Sequence, residues 1–132
     1  MNPIEANRVI AKVLAYCPSQ SMTELTPDAF AEALDDTRAA DAVEAVRRIG
    51  RREAEGPLYI EPRHIRAEVR RMRRERLDKH PHIDPPAGLS PSEFIAWQRD
   101  VRERIASGET IQPPVIEARE VPDYNAITKD VA

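Results

Sequence analysis

Cysteine is nearly absent from this chain: one copy, Cys17, excludes both a disulfide framework and a cysteine-based zinc site. Glycine is scarce too, with four copies in 132 residues, too few for a P-loop or a dinucleotide fingerprint. Aromatic residues make up 5%, so any core must be small and largely aliphatic. Apolar runs are short, and none can span a bilayer. The start, MNPIEANRV, lacks the charged-then-apolar layout of a secretory leader, and a soluble, cytoplasmic protein is expected. No nucleophile elbow, HExxH or Cys/His cluster occurs, so the expected role is non-catalytic, with no cofactor and no metal. The length allows one modest domain with appendages rather than two full domains.

Charge and proline are what the chain has in quantity, at 33% of residues and twelve copies respectively. A net charge of −3 excludes a bulk polycation that coats nucleic acid by charge alone. That average conceals a segregation. Residues 1–60 carry seven Lys/Arg against ten Asp/Glu, residues 61–79 eight against four, and residues 80–132 five against nine. A basic centre between acidic flanks fits a protein that meets an anionic partner through one element; a merely solvated arginine face is the plainer alternative.

Four helices are expected near residues 3–16, 27–35, 38–54 and 62–78, forming an all-α domain over residues 1–79. Asn2, Pro3 and Glu5 mark the first start, and Ala6, Val9, Ile10, Val13, Leu14 and Cys17 share one face. In CPSQSMTEL, a loop, Met22 and Leu25 read as anchors. Thr26-Pro27-Asp28 opens the second helix, which turns Phe30, Ala33 and Leu34 inward. The Asp35-Asp36 pair, with Thr37, is expected to cap the third helix rather than hold a metal. That helix carries a stripe of mostly small residues (Ala39, Ala42, Val43, Val46, Ile49) and ends in Arg47, Arg48, Arg51 and Arg52, where the dipole favours cations. Gly56-Pro57 breaks the chain, and Leu58-Tyr59-Ile60 reads as an extended connector.

The fourth helix, from Pro62, is the most informative segment. Ile65, Val69 and Met72 fall on one face; Arg63, Arg66, Arg70, Arg73 and Arg74 lie within about 100° of one another opposite. A solvated face usually mixes Glu with Lys for mutual support. Five arginines on one stripe leave repulsion that an anionic partner relieves, and guanidinium forks grip phosphate or carboxylate in two contacts. A solvent-facing basic ridge is therefore the expected binding site. His64, alone on this helix, reads as a surface residue.

HPHIDPPAGLSP holds too many prolines for a helix and reads as a semi-rigid linker over 80–90. Ser90-Pro91-Ser92-Glu93 is a capping box that starts a fifth, amphipathic helix over 91–108. Its seam of Phe94, Trp97, Val101 and Ile105 must be covered by the first domain or by a partner, and Trp97 is the expected anchor. Residues 109–132 have no lasting period and read as a flexible tail that folds onto a partner.

The steps LTPDAFAEALDD, RAADAVEAVRRIGRRE and LYIEPRHIRAEVRRMRRERLD, with Ile60-Glu61-Pro62 and Arg70-Arg71-Met72-Arg73 among them, carry a resemblance. Over Ile4 to Asp78 the pattern is similar to the replicative-helicase loader/inhibitor family of actinobacterial phages and prophages. The resemblance implies a helical N-terminal domain with a flexible C-terminal region. It also implies a DNA-replication accessory role in which the partner is the replicative DNA helicase or another replication protein. The linker and the Trp97 helix are not part of that pattern. The competing expectation is a small helical DNA-binding protein or transcriptional regulator that uses the Arg-rich helix 62–78.

Overall fold

In a computed structural model the described residues of the chain form five helices: α1 (Pro3–Tyr16), α2 (Thr26–Ala33), α3 (Ala39–Gly50), α4 (Pro62–Lys79) and α5 (Pro91–Ala106). The structure describes residues 1–53 and 58–112, and among these there is no strand. The fold is all-α, as the hydrophobic periods require. Gly56-Pro57 and the tail from residue 113 onward lie outside the described residues.

α1 packs against α2 and α3, α3 against α4, and α4 against α5. The Asn2 side chain accepts from the Glu5 amide at 2.8 Å and the Glu5 carboxylate accepts from the Asn2 amide at 3.0 Å, closing the capping box at the start of α1. Ala6 on α1 and Ala42 and Ala45 on α3 are fully buried, so the two backbones approach closely where larger side chains would hold them apart. Leu34, Ile60 and Ile65 fill the space around them with no exposed surface, each contributing about 1.5–3 kcal/mol by burial. Cys17 is buried among these residues, and loss of hydration pushes its thiol pKa up, which suits a packing role rather than a nucleophile.

Two close fits hold the connector and the first helix. The Gln20 amide takes the place of a missing strand neighbour: its Nε2 donates to the Ile60 carbonyl at 2.7 Å, and its Oε1 accepts from the Ile60 amide at 3.0 Å. At the end of α3, Gly50 lies directly under the Tyr16 ring, where an added Cβ would overlap the ring carbons. Gly50→Ala gains about 1 kcal/mol of helix propensity, but overpacking against the ring costs more, typically 1–3 kcal/mol. The variant is expected to unfold at a lower urea concentration than the wild type. A rise in the midpoint would show that the ring moves aside freely.

Several expectations need correction. The Asp35-Asp36 pair does not cap α3: its N-cap is Arg38, which makes no side-chain cap bond, and Asp36 instead accepts from the Thr37 hydroxyl at 3.3 Å. α3 ends at Gly50, short of the expected 54. Leu25 is no anchor; it occupies the N-cap of α2 in a helical conformation that turns its side chain outward, 74% exposed. His64 is not idle, because its Nδ1 accepts from the Glu61 amide at 3.0 Å and helps to start α4.

α5 is docked, and its C-terminus is the docked end. Gly108 adopts φ 97°, a left-handed conformation that only glycine takes without strain. This lets its amide reach the Ile105 carbonyl at 3.0 Å and the Glu109 amide reach Arg104 at 3.0 Å. Arg38 donates to the Ser107 carbonyl and Arg76 to the Ala106 carbonyl at 2.9 Å, so two cations meet the negative end of the helix dipole. The same Arg76 grips Asp41 of α3 through two bonds of 2.6 and 3.1 Å. One guanidinium thus ties α3, α4 and α5 together.

Candidate functional site

The arginines divide into two clusters of opposite character. On the α3 side of α4, Arg47 and Arg48 both hold Glu44, at 2.7 and 3.3 Å, and Arg48 also reaches Glu75 at 2.9 Å. Arg52 and Arg71 share Glu68, at 2.5 and 3.4 Å. Hydrogen bonds from Arg47, with help from Arg48, hold the Glu44 carboxyl down to about 2. Here the arginines are spent on the protein's own acids: Arg48 and Arg52 reach across to α4, while Arg47 and Arg71 pair within their own helices.

The other cluster lies between α4 and α5. An open groove of about 680 Å³ is lined by Arg70, Arg73 and Arg74 from α4 and by Arg99 and Arg102 from α5. The acid on its wall is Glu103, and Arg73 claims both of its oxygens at 2.8 Å. Arg70, Arg74, Arg99 and Arg102 are exposed and hold no carboxylate within 4 Å among the described residues. Leu77, Ile95 and Ala106 supply the apolar part of the lining. Four cations without a carboxylate partner among the described residues, around one concavity, raise the local potential and favour an anion there.

The five ridge residues therefore do not act alike. Arg70 and Arg74 face the groove. Arg73 is no solvent-facing residue; its side chain is 29% exposed because Glu103 draws it onto α5. Arg63 pairs with Glu61, and Arg66 stands 4.0 Å from Asp36, both toward the N-terminal end of α4. What was expected to be one ridge is a groove at one end and self-paired side chains at the other.

The fifth-helix seam also divides. Val101 and Ile105 are buried. Phe94 and Trp97 sit at the far end, half-buried to exposed, with ring centroids 6.1 Å apart and planes tilted by 31°. They line a second groove of about 370 Å³, with Leu77, Ile83 and Pro85 among its walls. The linker therefore runs beside the seam instead of holding α5 away. Its His80 accepts from the Ile111 amide at 3.2 Å, and His82 lies 3.2 Å from Asp84. Among the described residues no cluster of three His, Cys, Asp or Glu suits a metal, and no helix is long and apolar enough to cross a membrane.

Arg99 and Arg102 are the site residues that sequence reading passed over. Two signals mark them. Ile95, Gln98, Arg99, Arg102 and Ala106 follow helical spacing and form a second stripe beside the apolar seam. Leu77, four residues after Arg73, is an apolar residue on the arginine face of α4, and it marks where a helix docks.

No protein-family model matches the chain, and neither a curated protein nor a solved structure does.

Proposed function

We propose that this chain is a non-catalytic accessory protein of DNA replication, an adaptor that binds the replicative helicase and meets an anionic partner in the α4–α5 groove. The observation that carries the site is the imbalance within that groove: five arginines against one glutamate, which Arg73 already holds. The residue pattern of the first 78 positions supports the replication role. A second reading, a small DNA-binding protein or regulator, draws on the same arginines and is favoured by the lack of any carboxylate within 4 Å of Arg70 and Arg74 among the described residues. α5 packs along α4, so α4 is not a lone recognition helix free to enter a major groove, and such a contact would run along phosphates.

The test is a binding assay between the full chain and a purified actinobacterial replicative helicase, both treated with nuclease. The wild type is expected to bind, and Arg70→Glu/Arg99→Glu, which alters only the anion groove, to bind the helicase as well as the wild type does. Loss of binding by the variant would put the helicase itself in the groove. Failure of the wild type to bind would remove the helicase reading.

A further inference from the structure

The anion-binding groove has an aromatic neighbour. Leu77, Gln98 and Arg102 line both grooves, so the arginine-lined channel and the slot beside Phe94 and Trp97 meet along one edge of α5. Neither ring is packed away: Phe94 is 38% exposed and Trp97 is half-buried. The floor of the slot is apolar, from Val101 and Ile105, and its volume of about 370 Å³ falls in the range of small-ligand sites, about 300–1,000 Å³.

We propose that the two grooves together bind single-stranded nucleic acid, with phosphates on Arg70, Arg74, Arg99 and Arg102 and a base against Phe94 and Trp97. This rests on the groove being the anion site of the proposed function and names the chemistry of its occupant. Three considerations select it. Guanidinium groups match phosphate in paired contacts and suit a backbone that presents a charge at every residue. Aromatic faces beside a basic track are the arrangement on which unpaired bases stack, in any sequence. A duplex keeps its base faces stacked and has only phosphates to offer, which leaves the aromatic slot without a use.

The chain carries a single tryptophan, so Trp97 emission reports the slot directly. The full protein is titrated with a labelled oligothymidylate, a blunt-ended duplex without a loop and inorganic polyphosphate, following both anisotropy and Trp97 fluorescence. The oligothymidylate is expected to bind and quench Trp97, with a log–log salt slope of about −3 if four phosphates are neutralised. Polyphosphate is expected to compete without quenching. Phe94→Ala, which keeps the reporter, is expected to weaken the oligothymidylate roughly tenfold and leave polyphosphate unaffected. Arg70→Glu/Arg99→Glu is expected to lose both ligands.

Oligothymidylate binding that leaves Trp97 emission unchanged, or equal affinity for the duplex, would overturn the single-strand proposal while leaving the groove an anion site. So would a lack of binding to any nucleic acid alongside helicase binding that Arg70→Glu/Arg99→Glu abolishes; the occupant would then be an acidic protein surface. Nucleic-acid binding that survives the double arginine substitution would overturn the proposal and the groove together.

Discussion

Arg76→Ala is expected to lower the melting temperature by on the order of 10 °C. Asp41 is 5% exposed, and Arg76 donates to both of its oxygens. Removing the guanidinium leaves a buried carboxylate without its counter-charge, which costs about 3–5 kcal/mol at a fully buried site. The 29% exposure of the Arg76 side chain admits some water and places this case near the lower figure. The Ala106 carbonyl loses its donor in the same step, so α5 is also expected to loosen. A thermal melt followed by circular dichroism measures the first effect, and amide exchange across α5 the second. Asp41→Asn/Arg76→Met, which removes both charges, is expected to recover much of the loss, because the cost lies in the unpaired charge rather than in the missing pair. No recovery would mean that the bond to Ala106 matters more than the ion pair.

Arg70→Glu/Arg99→Glu is expected to have the opposite profile. Both side chains are exposed, and neither holds a carboxylate within 4 Å among the described residues. Surface changes of this kind shift stability by about 0.5 kcal/mol or less. Binding of an anionic partner is expected to fall by on the order of 100-fold, since two attractions become repulsions at the site of contact. Calorimetric melting and a binding isotherm on the same preparation separate the two effects. A variant that unfolds would show these arginines to be structural. A variant that binds normally would show the groove to be a solvated crevice.

The starts of α1 and α5 were legible because they carry their own chemistry, and that of α3 was not, since Arg38 makes no cap bond. Asn2 with Glu5 and Ser90 with Glu93 form the boxes their spacing announces. Val9, Val13, Ile65 and Met72 turn inward as a 3.6-residue period requires. What escaped the sequence was long-range pairing. Asp41 and Glu68 are buried, and their partners Arg76 and Arg52 come from distant parts of the chain, while Arg71 reaches Glu68 from one turn along the same helix. No local period encodes which arginine is spent on an acid and which stays free. That is why Arg73 read as part of an open ridge, and why Arg99 and Arg102, on a separate helix, did not read as part of the same site.

The proposed anion site spans two helices and is not a ridge on one. Affinity for inorganic polyphosphate, compared among the wild type, Arg70→Glu, Arg99→Glu and Arg63→Glu, tests this most directly. Arg99 reaches the groove only because α5 docks on α4, whereas Arg63 lies on the α4 stripe but pairs with Glu61 away from the groove. The groove predicts that Arg70→Glu and Arg99→Glu each weaken binding about tenfold or more, and that Arg63→Glu leaves it unchanged. Wild-type affinity in Arg99→Glu, together with weakened binding in Arg63→Glu, would place the site on the α4 ridge alone and contradict the account.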